Sequence, residues 1–130
     1  MAMLNADNIA LLDTNAVIRY ILNDIPEQHD RVKEFILSRS VVVRYEVIAE
    51  AVFVFEKVYR IPRPDIADLM KNFLSTKNVL SHYPATMMAA LTLFAAQNLD
   101  IVDSILCAFN GVKGWDVFTF DKEMNKLLHP

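Results

Sequence analysis

Short apolar runs alternate with longer segments of helical periodicity along this chain. Four runs have the length and composition of strands, namely Ile9–Leu12, Ser40–Val43, Asn78–Ser81 and Val117–Phe120. Apolar residues at helical spacing predict seven helices, over Thr14–Leu22, Pro26–Leu37, Tyr45–Tyr59, Asp65–Leu74, Pro84–Asn98, Ile101–Phe109 and Lys122–Leu128. This alternation predicts an α/β fold of three layers, with helices on both faces of a mainly parallel sheet of four to five strands.

Two apolar segments refine this picture. The run Ile9–Leu12 is typical of a strand that is buried on both faces. The most apolar run, Met87–Ala96, predicts a buried helix, because it is far shorter than the ~20 residues that span a bilayer. The polar N-terminus carries no pattern of a targeting signal. We therefore expect a cytoplasmic protein that makes no use of a membrane.

Composition excludes several classes of function. The chain has 130 residues, of which 54% are hydrophobic and 22% charged, and this predicts a single domain over residues 1–130. With only two glycines, Gly111 and Gly114, a glycine-rich phosphate loop is excluded. The single cysteine, Cys107, excludes intrachain disulfides and cysteine-cage zinc sites. The net charge of −3 gives no argument for binding a polyanion, so another group would have to bridge it.

Two carboxylates follow predicted strands directly. Asp13 ends the run Ile9–Leu12, and Asp121 ends the run Val117–Phe120. Ligands of open α/β sheets bind beyond the carboxyl ends of the strands, where two such carboxylates can converge on one site. The alternative is helix capping, because aspartate is a preferred N-cap and each of these residues precedes a helical pattern.

Two further acids are candidates for the same site. Glu50 lies in mid-helix among apolar and small residues, where an unpaired buried charge is costly. Alternatively, Glu46 and Glu50 form a polar stripe that faces water. Asp103 begins a predicted helix three residues after Asp100, so a capping arrangement is the alternative there.

Taken together, the four acids indicate a metal site. Asp13, Glu50, Asp103 and Asp121 can each reach one end of a parallel sheet, and their mutual repulsion would then require cations or protons. Oxygen ligands of this kind suit Mg²⁺ or Mn²⁺. Such a site performs phosphodiester hydrolysis, and its metal ions also bridge an acidic protein to a polyanionic substrate.

Four segments resemble, in order, the motifs of the PIN-domain ribonucleases, and specifically of VapC-type toxins of bacterial toxin–antitoxin pairs. They are Leu11–Ile18, Val47–Phe55, Leu99–Leu106 and Val117–Met124. The resemblance implies an endoribonuclease that uses Mg²⁺ or Mn²⁺, forms a homodimer and is blocked by a cognate antitoxin protein. It also implies that Asp13, Glu50, Asp103 and Asp121 bind the metal and perform the catalysis. Asn15 and Thr119 would give polar support, although Thr119 can equally be an ordinary strand residue.

The role of two basic residues and the function of the chain both have alternative interpretations. Arg60 and Arg63 flank a predicted loop and can contact RNA phosphates, but a solvated turn explains them equally well. One alternative function is a catalytically silent PIN fold that acts only as a binding module. A second is a receiver-like phosphoacceptor domain. That domain needs an aspartate at the end of a middle strand and a lysine at the end of the last, whereas the chain has His82 and Asp121 there.

Overall fold

A computed structural model describes residues 9–130 of the chain. Three short parallel strands form one sheet in the order β1-β2-β3, and they cover Ile9–Leu11, Ser40–Val42 and Val79–Leu80. Ile9 is paired with Ser40, and Val41 with Val79, so the three strands end at the same edge of the sheet. The N-terminal segment, for which we expect no targeting signal, lies largely outside the described residues.

Helices flank the sheet on the connections between strands and after the last strand. They are α1 Thr14–Leu22, α2 Pro26–Leu37, α3 Tyr45–Lys57, α4 Arg63–Leu74, α5 Pro84–Ala96, α6 Ile101–Lys113 and α7 Lys122–Leu128. Proline begins α2 and α5, where a missing N–H costs no helical hydrogen bond. The helix α6 continues past its predicted end and stops at Gly114, whose φ of 70° suits the left-handed C-terminal position. The predicted α/β fold with a parallel sheet and flanking helices is confirmed.

The core is formed mainly by α3, α4 and α5. Phe55, Ile66, Met70, Met87 and Phe94 are among its largest fully buried side chains. Each such side chain contributes about 1.5–3 kcal/mol by leaving water. The helix α5 is apolar around most of its circumference because it packs between α4 and α6, as its sequence predicts.

The segment Val117–Phe120 is not a strand, and this prediction was wrong. The sheet has three strands within residues 9–130, rather than the four to five expected. Phe118 and Phe120 are 85% and 90% exposed, and the centroids of their rings lie 5.2 Å apart. Aromatic and β-branched residues favour a strand only where a neighbouring strand pairs with them, and this segment is paired with none in the described part of the chain.

The strand β1 is also less buried than its sequence predicts. Ile9 and Leu11 are 42% and 60% exposed, whereas Leu12, directly after the strand, is buried. Edge position does not explain this by itself, because β3 is the other edge strand and its Val79 is buried. Ile9 and Leu11 lie two residues apart, so the exposure belongs to the one face of β1 that carries both side chains. Within residues 9–130, no helix is long and apolar enough to cross a membrane.

Candidate functional site

Asp13 joins β1 to α1. Its backbone is extended, and its Oδ1 accepts a hydrogen bond of 2.8 Å from the N–H of Ala16. The capping alternative is therefore realised at this residue. The carboxylate is exposed, and one hydrogen bond occupies only part of its acceptor capacity, so capping leaves it able to bind a further ligand.

Asp121 is held in the same way at the start of α7. Its Oδ1 accepts a hydrogen bond of 2.9 Å from the N–H of Met124. The hydroxyl of Thr119 accepts the N–H of Asp121 at 3.0 Å, and Asn125 donates to the carbonyl of Thr119 at 3.1 Å. Thr119 thus fixes the backbone that presents Asp121, without belonging to a strand.

Asp103 is the only one of the four candidate acids that is not exposed. It is half-buried in the first turn of α6, and Asp100 caps that helix by accepting the N–H of Asp103 at 2.8 Å. Burial raises the pKa of the Asp103 carboxyl, and the negative charges of Asp100 and Asp121 raise it further. Asp100 is therefore the cap, while the carboxylate of Asp103 remains available at a site of concentrated negative charge.

A small apolar cluster brings Asp121 to Asp103. Met124 and Leu128 of α7 pack against Leu99 and Cys107, and all four side chains are buried. Cys107 lies one turn after Asp103, and burial, followed by the charge of Asp103, raises the pKa of its thiol. The packing of α7 on α6 therefore fixes two carboxylates from distant parts of the sequence within electrostatic range of each other.

Glu50 is exposed, which corrects the expectation that apolar neighbours bury it. Glu46, one turn earlier, is exposed as well, so α3 has the polar stripe that the alternative interpretation describes. The two differ in their partners, because Glu46 accepts a 2.8 Å hydrogen bond from Arg44. Within residues 9–130, Glu50 does not join two other acidic, histidine or cysteine side chains in a group that could hold a metal ion.

A groove of about 950 Å³ opens beside Asp13 between α1 and α2. Asp13 and Asn15 line it at the start of α1. Arg31 of α2 lines it as well, and so does Arg39, which follows the end of α2. The guanidinium of Arg39 stacks on the ring of Phe35, with 4.1 Å between its carbon and the ring centroid. Sequence analysis missed Arg31, because only the packing of α1 on α2 shows that its helix faces Asp13.

A comparison of the sequence with protein families agrees with the parallel sheet and the order of the acids. The sequence model of the PIN-domain family matches residues 10–128. The chain belongs to the PIN-domain family. PIN domains are typically nucleases that use divalent metal ions. The match gives no support to the alternative of a receiver-like domain. A search of curated proteins found no match.

The donor chemistry of this PIN domain suits a hard divalent cation. No three acidic, histidine or cysteine side chains of residues 9–130 are grouped closely enough to enclose a metal ion. Mg²⁺, however, is commonly held by one or two carboxylates and several waters. Asp103 and Asp121 offer two carboxylates whose mutual repulsion a cation would relieve.

The two basic residues singled out from the sequence differ in their surroundings. Arg63 donates to the carbonyls of Phe94, Gln97 and Leu99, forms a 2.9 Å ion pair with Glu56 and stacks on the Phe94 ring. These contacts join the start of α4 to the end of α5, so Arg63 has a structural role. Arg60 is exposed, in a left-handed backbone conformation with φ of 55°.

Proposed function

We propose that this PIN domain is a Mg²⁺- or Mn²⁺-dependent endoribonuclease and the toxin component of a toxin–antitoxin pair. The observation that carries the proposal is the approach of Asp121 to the half-buried Asp103 across the packed helices α6 and α7. Two carboxylates held together in this way are unfavourable unless a cation or a proton compensates them. The PIN-domain match makes a catalytic metal ion the appropriate cation.

Asp103 and Asp121 would bind the ion, and Asp13 and Glu50 would complete its surroundings with waters. A bound divalent ion polarises the phosphoryl group and makes water a better nucleophile at neutral pH. Hydrolysis adds water across one P–O bond of RNA and leaves one phosphate monoester and one hydroxyl end. Asn15, which lies beside Asp13 in the groove, can orient a water or the substrate.

The groove between α1 and α2 would hold the RNA backbone. With a net charge of −3, the whole protein repels a polyanion, so binding needs a local concentration of positive charge. Arg31 and Arg39 both line the groove and outnumber the one acid that α2 contributes to it, Glu34. Guanidinium groups bind phosphate in bidentate geometry. Arg39 donates hydrogen bonds within the protein from one terminal nitrogen, whereas all three nitrogens of Arg63 do so, which favours Arg31 and Arg39 as phosphate ligands. Arg60 remains a weaker candidate.

The role as a toxin rests on the resemblance of the four motifs to VapC-type sequences. It brings with it a cognate antitoxin, a homodimer and action in the cytoplasm, which we include in the proposal. Large apolar side chains exposed at the end of α2, on α3 and directly after α3 support the presence of protein partners; they are Leu37, Phe53 and Val58.

A second candidate function is a PIN fold that binds partners without catalysis. It is favoured by one observation, which is that the described residues hold no group of three metal-ligating side chains. The two candidates differ in their dependence on Asp103. A nuclease loses its function when this carboxylate becomes an amide, whereas a binding module of the same fold keeps it.

Induced expression in a bacterium tests the proposal, with the Asp103→Asn variant as control. We expect the wild-type chain to arrest growth and to produce discrete RNA fragments, and the variant to do neither. Equal growth of both strains at equal soluble expression would contradict the toxin role. Arrest by both would show that the toxicity does not come from the acidic site.

A further inference from the structure

A second cavity, separate from the acidic residues, lies at the ends of β2 and β3. Its volume is about 420 Å³, and its walls are mainly apolar. The start of α5 forms one side, and the last turn of α6 forms another. The residues on which the argument depends are Val42, Leu80, Tyr83, Ala85, Thr86 and Lys113.

The N-terminus of α5 opens into this cavity without a cap. Tyr83 precedes the helix and makes no capping hydrogen bond, and Pro84 has no N–H. The first helical bond runs from the N–H of Met87 to the carbonyl of Tyr83 at 3.1 Å. The N–H groups of Ala85 and Thr86 therefore have no partner within residues 9–130, and they lie at the positive end of the helix dipole.

The side chain of Thr86 gives an independent indication of a ligand. Thr86 lines the cavity and is only 1% exposed, yet its hydroxyl has no hydrogen-bond partner in the described part of the chain. A buried hydroxyl without a partner is unfavourable, and native structures rarely keep one without a reason. A ligand oxygen at the start of α5 would satisfy this hydroxyl together with the two free N–H groups.

The charge and the lining of the cavity define the ligand. Lys113 contributes a positive charge, and its Nζ lies 4.8 Å from the centroid of the Tyr83 ring. No ion pair to Lys113 occurs within residues 9–130. Val42 and Leu80 provide apolar surface. An anionic head group thus meets free donors and a lysine, while an apolar body meets the remaining walls.

We propose that this cavity binds a small organic anion, with its carboxylate or phosphate at the N-terminus of α5 and its apolar body against Val42 and Leu80. The proposal does not depend on nuclease activity. It assigns the ligand by chemistry alone, as one anionic group joined to an apolar group of the size of a phenyl ring.

Calorimetric titration of the full chain with phenyl phosphate and with phenylacetate tests the proposal, and benzyl alcohol is the neutral control. We expect saturable binding of at least one anion and none of the alcohol, and the better anion identifies the head group. Fluorescence of Trp115, the only tryptophan, locates the site, since its ring lies 5.6 Å from that of Tyr83. No binding of either anion tighter than about 10 mM, or equal binding of the alcohol, would overturn the proposal.

Variants separate a ligand site from a structural feature. We expect Thr86→Val and Lys113→Met each to weaken binding by about tenfold, the effect of one lost polar contact. Lys126→Met is the matched control, because Lys126 also lies in the last turn of a helix but outside the cavity. Thr86→Val should leave the melting temperature of the free protein unchanged or raise it, since it removes an unsatisfied hydroxyl. Unchanged affinity in both Thr86→Val and Lys113→Met would contradict the site.

Discussion

The N-termini of α1, α6 and α7 contrast with that of α5. Asp13, Asp100 and Asp121 cap the first three, with hydrogen bonds of 2.8, 2.8 and 2.9 Å to backbone N–H groups. At α5 no side chain does so, and the residues that carry the free donors line a cavity. All four ends have the same positive dipole and start with N–H groups that the helix itself does not pair.

The difference shows how one physical requirement can produce two kinds of site. Where the chain supplies its own anion, negative charge accumulates at the helix starts, and at α6 and α7 it surrounds Asp103. That end of the molecule then attracts a cation. The starts of α2, α3 and α4 also lack a capping side chain. At α5, the unpartnered hydroxyl of Thr86 and the charge of Lys113 adjoin the free donors, so that helix start attracts an anion instead. Capping and metal binding are therefore compatible roles for the same aspartates.

The largest effect that sharpens this comparison concerns stability in the presence of metal. At Mg²⁺ a hundredfold above its dissociation constant, we expect the wild type to gain about 2.7 kcal/mol of unfolding free energy. Asp103→Asn should lose most of this gain. Asp100→Asn should retain it, because asparagine caps a helix as well as aspartate does. Thermal unfolding with and without Mg²⁺ measures all three, and an equal gain in Asp103→Asn would remove that residue from the metal site.

The next effect concerns the groove beside Asp13. Replacement of both Arg31 and Arg39 by alanine should weaken RNA binding by at least tenfold and lower the slope of log affinity against log salt by about one per residue. Lys33→Ala is the control, because Lys33 lies on the same helix as Arg31 but does not line the groove. Filter binding in Ca²⁺ at several salt concentrations measures the slope. An equal loss in Lys33→Ala would show that the effect is one of net charge only.

A smaller effect follows from the loss of a cap at α1, which would make that helix start resemble α5. Asp13→Ala should lower the unfolding free energy by about 1 kcal/mol, whereas Asp13→Asn should leave it nearly unchanged. Both variants should reduce RNA cleavage, because both remove the carboxylate. Urea unfolding and a cleavage assay on the same preparations separate the two roles. Equal stability of both variants would mean that the capping bond contributes little.

The smallest effects on stability are expected for the two glutamates of α3, which cleavage distinguishes instead. Glu46→Gln removes an exposed pair with Arg44 and should leave stability nearly unchanged, without an effect on cleavage. Glu50→Gln should be equally mild in stability but should reduce cleavage by about tenfold. The opposite order in a cleavage assay would assign the helix carboxylate to Glu46.

The sequence predicted the helices better than the sheet. Proline at the start of α2 and α5 and aspartate at the start of α1 and α7 are local signals, and the helices begin where those residues stand. Strand formation depends on a neighbour that local sequence does not describe. For that reason Val117–Phe120 was wrongly predicted as a strand, and the exposure of β1 was not foreseen.

The candidate site was also predictable only in part. The aspartates could be found because each follows or begins a recognisable element. The exposure of Glu50, the internal role of Arg63 and the position of Arg31 depend on how helices pack against each other, and spacing along the chain does not determine this. Thr86 gave no signal, because threonine in an apolar helix is unremarkable until its hydroxyl is seen to lack a partner.

Cleavage of RNA by the purified chain tests the central claim most directly. Total bacterial RNA would be incubated with the wild type and with Asp103→Asn, each with Mg²⁺ and with a chelator, and 5′-end sequencing would locate the breaks. We predict discrete internal cuts by the wild type in Mg²⁺ only. Identical cuts by Asp103→Asn, or cutting that persists in the chelator, would contradict a metal-dependent nuclease centred on Asp103 and Asp121.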